Sequence, residues 1–176
     1  LLQMKNLIMI DCKISSPMDP NPTVPEDVRD ALKGTNIAVQ VTLNSDIEKA
    51  VNLRKAGLGL LGNIVGDNKA VACIEDTAVE VKDLPNYIAE FTIMMADFGQ
   101  EAVYYAHAGA GELHLRPILN LKQQEDVVLF REITSKTAAL VKKYGGSFSG
   151  EHGDGIVRAE FIPKMIGAKN YELLKR

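Results

Sequence analysis

Residues 102–119 read AVYYAHAGAGELHLRPIL, and this stretch gives the clearest indication of the fold. Aromatic, aliphatic and β-branched side chains favour strands over 102–107 and 112–119. The glycines between the two segments are typical of a tight turn. The stretch therefore predicts an antiparallel hairpin.

Amphipathic segments lie on both sides of this hairpin. The preceding one is predicted to begin at Asp83 or Leu84 and to end at Gly99, and a longer one runs from about Glu125 to Tyr144. Strands joined by a hairpin and flanked by helices predict an α+β fold, an antiparallel sheet with helices packed on one face. The apolar stripe expected on the first helix comprises Ile88, Phe91, Ile93, Met94, Met95 and Phe98.

The first part of the chain is less regular. We divide it into a tail segment with a proline-rich loop, residues 1–35, and a main domain, residues 36–176. Neither end has the signals of a natural terminus, so we expect a piece of a longer polypeptide. A short helix is predicted to end near Leu32, and strands are predicted over 36–43 and 70–74. Between these strands, a helix is predicted from Asn44 or Ser45 to about Lys55. The glycines that follow it, Gly57, Gly59 and Gly62, are expected to break the regular structure.

Composition excludes several classes of protein. The chain has 176 residues, a formal net charge of −3 and 46% hydrophobic residues, with no basic stripe, which argues against a nucleic-acid partner. No apolar run is long enough to span a membrane. The two cysteines, Cys12 and Cys73, have no framework spacing, so we expect reduced thiols in a cytoplasmic protein.

All three histidines lie in two short glycine-rich segments, residues 107–116 and 145–155. If Ala110 and Gly111 form a two-residue turn, His107 falls directly opposite His114 on one face of the hairpin. Such a pair can bind one zinc, manganese or iron ion. Two half-buried histidines that only form hydrogen bonds are the alternative.

The second segment, GGSFSGEHGDG, adds a carboxylate and a possible base. Glu151 can complete a set of two histidines and one carboxylate, which leaves coordination positions open for substrate. His152 is a candidate general base because its unperturbed pKa is near neutrality. A glycine-rich surface loop with a solvated Glu-His pair is the alternative.

The strings HAGAGELH and SGEHGDG resemble the paired signatures of the FAD-linked oxidase C-terminal family, in the vanillyl-alcohol-oxidase/p-cresol-methylhydroxylase superfamily. D-lactate, glycolate and D-2-hydroxyglutarate dehydrogenases belong to that family. The resemblance implies a ferredoxin-like cap and substrate domain over 36–176. It also implies FAD, held mostly by an N-terminal domain that is not part of this sequence.

The resemblance also implies roles for particular residues. His107, His114 and Glu151 match the ligands of a divalent metal, and His152 matches the base that takes the substrate hydroxyl proton. Arg54 and Lys69 match cations that bind the substrate carboxylate. Cofactor contacts are expected from Gly150, Glu151, His152 and Gly153.

The first signature departs from its usual form. Ala110 and Glu112 replace the usual Asp and Asn, and Arg116 adds a cation. Arg116 can favour a dicarboxylate substrate, or it can pair with Glu112.

The function expected from the resemblance is oxidation of a D-2-hydroxyacid to the 2-oxoacid, with hydride passed to FAD and a metal assisting. The partners expected are the small hydroxyacid, the chain's own FAD-binding domain and an iron–sulfur electron-transfer region. A metal-dependent hydrolase or a metal-binding module that uses His107, His114 and Glu151 is the alternative.

Overall fold

The computed structural model describes residues 26–35 and 45–176 of the chain. The described residues divide into two compact units, with the boundary between Lys55 and Ala56. Helix α1, Glu26–Ala31, lies in the first unit, and the strand predicted over 36–43 lies outside the described residues. The predicted boundary at residue 35 adjoins the same undescribed segment and stays a prediction.

Helix α2 spans Ser45–Gly62, so the predicted end near Lys55 is wrong. Gly57 and Gly59 lie inside the helix, and neither has a positive φ. A glycine within a helix costs about 1 kcal/mol relative to alanine but does not prevent helical backbone angles. The intervening leucines are compatible with continued helix.

The sheet is antiparallel and is built around one central strand. Strand β4, Glu112–Leu119, pairs with β3, Ala102–His107, along one edge. Strands β1, Lys69–Ala70, and β2, Ile74–Ala78, follow each other along its other edge. The predicted α+β class and the predicted bounds of β3 and β4 are confirmed.

The register of the hairpin differs from the prediction. His107 pairs with Glu112 and Tyr105 pairs with His114, so the two histidines are diagonal neighbours rather than directly opposite each other. The turn takes four residues, a 3₁₀ turn over Ala108–Ala110 followed by Gly111 with φ of 75°. A Cβ on Gly111 would lie 2.0 Å from the Val79 carbonyl oxygen, so this close approach needs glycine. Because the register moved by two residues, the histidines keep their common face.

Strand β2 contains an irregularity that matters for the site. Ile74 pairs with Leu115 and Thr77 with Leu113, so β2 has one residue more than β4 over this interval. The extra residue is a β-bulge, and Asp76 within it has φ of 75°. The predicted strand over 70–74 is therefore wrong in its bounds, because pairing with β4 selects 69–70 and 74–78 instead.

The core lies between one face of the sheet and helices α3, Leu84–Asp97, and α4, Gln124–Lys143. Alternation along β4 directs its leucines to this face. The predicted apolar stripe on α3 is correct except at Ile93, which is 62% exposed. The fully buried side chains of the core include Ile74, Tyr87, Phe91, Leu115, Leu119, Ile133 and Val141.

Three short helices complete the described chain: α5, Gly155–Arg158, α6, Ile162–Ile166, and α7, Ala168–Leu174. Only the helical character of the last segment was predicted from the sequence. The rings of Phe148 and Phe161 pack edge to face with centroids 5.8 Å apart, and this contact holds the 3₁₀ turn after α5, Ala159–Phe161, against the core. Within the described ranges, no helix has both the length and the apolarity to cross a membrane.

Candidate functional site

The face of the sheet opposite the helices carries the polar residues. Glu112, His114 and Arg116 alternate with the core leucines of β4 and therefore point away from α3 and α4. Tyr105 and His107 share this face because they pair directly with His114 and Glu112. The loop after α4 brings Glu151 and His152 to the same place.

The three histidines converge on one oxygen of Glu151. Glu151 Oε1 lies 4.0 Å from His107 Nε2, 3.8 Å from His114 Nε2 and 3.2 Å from His152 Nε2. The rings of His107 and His114 have centroids 5.3 Å apart. The structure thus brings together the residues that the sequence assigned to a metal and a base, from β3, β4 and one loop.

The donor set fits a divalent metal. The ligand atoms of His107, His114 and Glu151 all lie within 4.8 Å of one another. Bonds of about 2.0–2.2 Å place tetrahedral ligands about 3.4 Å apart, so the observed separations need only a small contraction. A second set of Glu75, His114 and His152 is equally compact, but Glu75 already accepts two hydrogen bonds from Arg116.

His114 is the most enclosed member of the site. It is 5% exposed, and burial lowers its pKa, which favours the neutral imidazole that ligates metals. Its Nδ1 is buried without a hydrogen-bond partner among the described residues, and Glu75 Oε1 lies 3.7 Å away. A carboxylate behind the second ring nitrogen is the usual support for a metal-binding histidine.

Asp76 holds the loop that carries Glu151 and His152, and sequence reasoning missed it. Its carboxylate accepts hydrogen bonds from the Ser149 hydroxyl and from the backbone N–H groups of Gly150, Glu151 and His152. The strand predicted over 70–74 ended before Asp76, so no local pattern indicated its role. Aspartate tolerates positive φ better than most residues, so it suits the bulge.

Asp76 and Glu112 form a carboxyl pair beneath this loop. Burial alone would raise the pKa of the Asp76 carboxyl, but hydrogen bonds from Glu112, Ser149 and the loop amides hold it well below its usual range. The hydrogen bond to Asp76, with burial, raises the pKa of Glu112 to about 7. A Cβ on Gly150 would lie only 3.1 Å from Asp76 Oδ1, so the absence of a side chain at Gly150 lets the loop approach the Asp76 carboxylate closely.

The predicted cations have different environments. Arg116 Nη2 donates to both carboxylate oxygens of Glu75 at 2.6 Å, so its partner is Glu75 rather than Glu112. Lys69 pairs across the sheet with Leu119, about 16 Å along β4 from His114, and its ammonium donates to the Ile64 carbonyl. Arg54 lies on α2, and its side chain is outside the described residues.

The predicted cofactor contacts also differ from one another. Glu151 and His152 have side chains 48% exposed on the open side of the loop. Gly153 has φ of 80° and open space where a Cβ would stand, which is compatible with close approach by a flat ring. Gly150, in contrast, faces Asp76 and Glu112.

Residues 19–176 match the family of FAD linked oxidases, C-terminal domain. The chain belongs to this family. The resemblance drawn from HAGAGELH and SGEHGDG is therefore confirmed, and so is the fold class that it implied.

Curated relatives in the family bear the names of 2-hydroxyacid dehydrogenases. A D-2-hydroxyglutarate dehydrogenase of Pseudomonas putida is 38% identical over 74% of this chain, and one of Haemophilus influenzae is 41% identical over 68%. A D-lactate dehydrogenase of Archaeoglobus fulgidus is 26% identical over 63% of this chain, and the matched region is 24% of that protein. The chain spans only 13% and 12% of the two D-2-hydroxyglutarate dehydrogenases.

Proposed function

We propose that the complete protein is an FAD-dependent dehydrogenase that oxidises a D-2-hydroxyacid to the 2-oxoacid, and that this chain supplies the substrate side of its active site. The convergence of His107, His114 and His152 on Glu151 Oε1 carries the proposal. Family membership favours this reaction over a metal-dependent hydrolase. The names of the relatives make D-2-hydroxyglutarate the first substrate to test, ahead of D-lactate and glycolate.

His107, His114 and Glu151 would hold one divalent ion, of zinc, manganese or iron. A metal bound there supplies Lewis acidity, which lowers the pKa of a coordinated substrate hydroxyl. Burial lowers the pKa of His114, which favours the neutral imidazole that ligates metals. Glu75 stands behind its Nδ1 and would fix the orientation of the ring.

His152 would accept the proton of the substrate hydroxyl. Its Nε2 lies 3.2 Å from Glu151 Oε1, so a hydroxyl held beside Glu151 is within hydrogen-bonding reach. Its ring stacks on His114 with an interplanar angle of 22°, which restricts its orientation. FAD, when bound, would supply the hydride-accepting chemistry.

Cations would bind the carboxylate groups of the substrate. Arg54 and Lys69 are proposed from the family resemblance. Arg116 is two residues from His114 on the same face of β4, but its guanidinium is paired with Glu75. A substrate carboxylate would therefore compete with Glu75 or share Arg116 with it. An iron–sulfur region as electron acceptor and a cytoplasmic location stay predictions.

Steady-state kinetics of the complete protein with D-2-hydroxyglutarate and a dye acceptor test the proposal. His152→Ala removes the general base and should lower kcat by about 10²–10⁴-fold. Arg54→Ala should mainly raise KM, because a carboxylate contact acts in the ground and transition states alike. Glu151→Gln should lose metal and activity together, with partial recovery on added metal.

Glu172→Gln is the matched control, since Glu172 is an exposed acid on α7 that pairs with Lys175, just beyond the helix. It should retain the kinetics of the parent protein. Near-normal turnover in His152→Ala would contradict the assignment of the base. Metal-dependent hydrolysis without FAD reduction would favour the hydrolase instead.

A further inference from the structure

The carboxylate of Asp76 receives an unusual concentration of hydrogen bonds. The side chain is 0% exposed. Its Oδ1 accepts from the amides of Gly150 and Glu151 at 2.9 and 2.7 Å. Its Oδ2 accepts from the His152 amide at 2.9 Å and from the Ser149 hydroxyl at 2.6 Å. Successive backbone N–H groups that point at one anion form a nest, and here the anion is part of the chain itself.

The two side chains that this nest carries are only partly supported by packing, which for His152 includes the His114 ring. Glu151 and His152 are each 48% exposed, so packing alone does not fix where they stand. The positions of their backbone atoms, and therefore of Glu151 Oε1 and His152 Nε2, depend on the two amides that bond to Asp76. The bulge in β2 directs the Asp76 carboxylate to this place.

Arg158 secures the same loop from its carbonyl side. The side chain is buried and donates to the carbonyl oxygens of Phe148 and Gly153, at the two ends of the loop, and to that of Glu75. Its Nη2 lies 3.6 Å from Asp76 Oδ2, which compensates the buried charge. The loop therefore has an internal anion for its amides and an internal cation for its carbonyls.

We propose that Asp76 is a positioning residue that sets the backbone of Glu151 and His152 so that a metal ligand and a general base face the substrate together. This inference rests on the proposed function for the roles of Glu151 and His152. Asp76 itself is fully buried and belongs to neither candidate set of metal ligands.

The chemistry of the nest requires a carboxylate. A carboxylate offers acceptors at both oxygens, whereas an amide offers an acceptor at one end and an NH₂ donor at the other. In Asp76→Asn, one orientation of the amide points NH₂ at the Glu151 N–H and the other points it at the His152 N–H, so one of these two bonds is lost either way. The variant is nearly isosteric, so it changes the hydrogen bonds of Glu151 and His152 with little change in volume.

Hydrogen exchange of the complete protein, without added metal and resolved to single amides, is the first measurement. In Asp76→Asn the amide of Glu151 or that of His152 should exchange at least about 10-fold faster. The Gly150 amide also bonds to the Asp76 carbonyl oxygen at 2.7 Å, a bond that the substitution keeps, so its protection should change less. Asp126→Asn is the control, because the Asp126 carboxylate likewise accepts a hydrogen bond from a backbone N–H, that of Asn120, at the other end of β4.

Binding and kinetics form the second measurement. The affinity for Zn²⁺, measured by competition with a chromogenic chelator, should fall about 10–100-fold in Asp76→Asn, as is typical for partners that orient ligands. kcat should fall with a smaller change in KM, and Asp126→Asn should leave both near the parent values. If Asp76→Asn does not fold, Ser149→Ala removes one bond to the same carboxylate and should give a smaller change in the same direction.

Unchanged exchange of Glu151 and His152 in Asp76→Asn would overturn the inference. Faster exchange with an unchanged Zn²⁺ affinity and kcat would overturn it too, since the loop would then be ordered without consequence for the site. A failure of the proposed function looks different. In that case Glu151→Gln would bind Zn²⁺ as the parent protein does, while the exchange data still decide whether Asp76 positions the loop.

Discussion

The loss of stability on removing the Glu75–Arg116 ion pair should exceed the loss on removing the Glu160–Arg131 ion pair. The two pairs have the same shortest N–O distance, but they differ in solvent exposure. Arg116 Nη2 lies 2.6 Å from Glu75 Oε2, and Arg131 Nη2 lies 2.6 Å from Glu160 Oε2. The side chains of the first pair are 15% and 14% exposed, and those of the second are 68% and 46% exposed. Distance alone predicts equal effects, whereas burial predicts that they differ.

The expected magnitudes follow from solvation. Breaking a buried pair by removing one partner costs about 3–5 kcal/mol, and residual exposure with a glutamine that still accepts a hydrogen bond reduces this to about 2–3 kcal/mol for Glu75→Gln. An exposed pair contributes about 1 kcal/mol or less because water screens it. We therefore expect a coupling free energy of about 2 kcal/mol for Glu75 with Arg116, and a clearly smaller one for Glu160 with Arg131.

Double-mutant cycles measured by urea unfolding give these coupling energies. One cycle uses Glu75→Gln and Arg116→Met, and the control cycle uses Glu160→Gln and Arg131→Met. Equal coupling energies in the two cycles would refute the reasoning from burial. A large coupling energy for the first pair would also mean that Glu75 fixes the position of the Arg116 guanidinium. Any contribution of Arg116 to substrate binding would then depend on Glu75.

Two further predictions concern the core. Phe91→Ala should destabilise the fold by about 3–5 kcal/mol, because Phe91 is fully buried. Ile93→Ala, on the exposed side of the same helix, should cost under about 1 kcal/mol. Equal shifts of the urea midpoint in the two variants would contradict the observed packing. Burial raises the pKa of the Cys73 thiol to about 11, so iodoacetamide at pH 8 should modify Cys73 only after unfolding. Peptide mass spectrometry measures this modification. Rapid modification of Cys73 in the native protein would contradict its burial.

The sequence predicted the hairpin strands and the long helices because their signals are local. β3 and β4 have the predicted bounds, and α3 and α4 end beside glycines at 99 and 145, both with positive φ. The register of the hairpin was wrong because a two-residue and a four-residue turn are both compatible with Ala108–Gly111. Contact with Val79, which follows β2 in the chain, selects the longer turn.

The members of the site were predictable, and their supporting residues were not. His107, His114, Glu151 and His152 are chemically conspicuous and lie in two glycine-rich motifs. Asp76 acts through a bulge whose existence depends on pairing with β4, about 40 residues later in the chain. The pairing of Arg116 with Glu75 depends on the same long-range register.

We propose that His107, His114 and Glu151 together bind one divalent metal ion. A crystal of the complete protein, equilibrated with Zn²⁺ and measured at the zinc absorption edge, would reveal this ion. We predict one strong anomalous peak about 2.0–2.2 Å from His107 Nε2, His114 Nε2 and a Glu151 carboxylate oxygen. A peak elsewhere with none at these three residues, or none at all in a crystal that takes up zinc in solution, would contradict the claim.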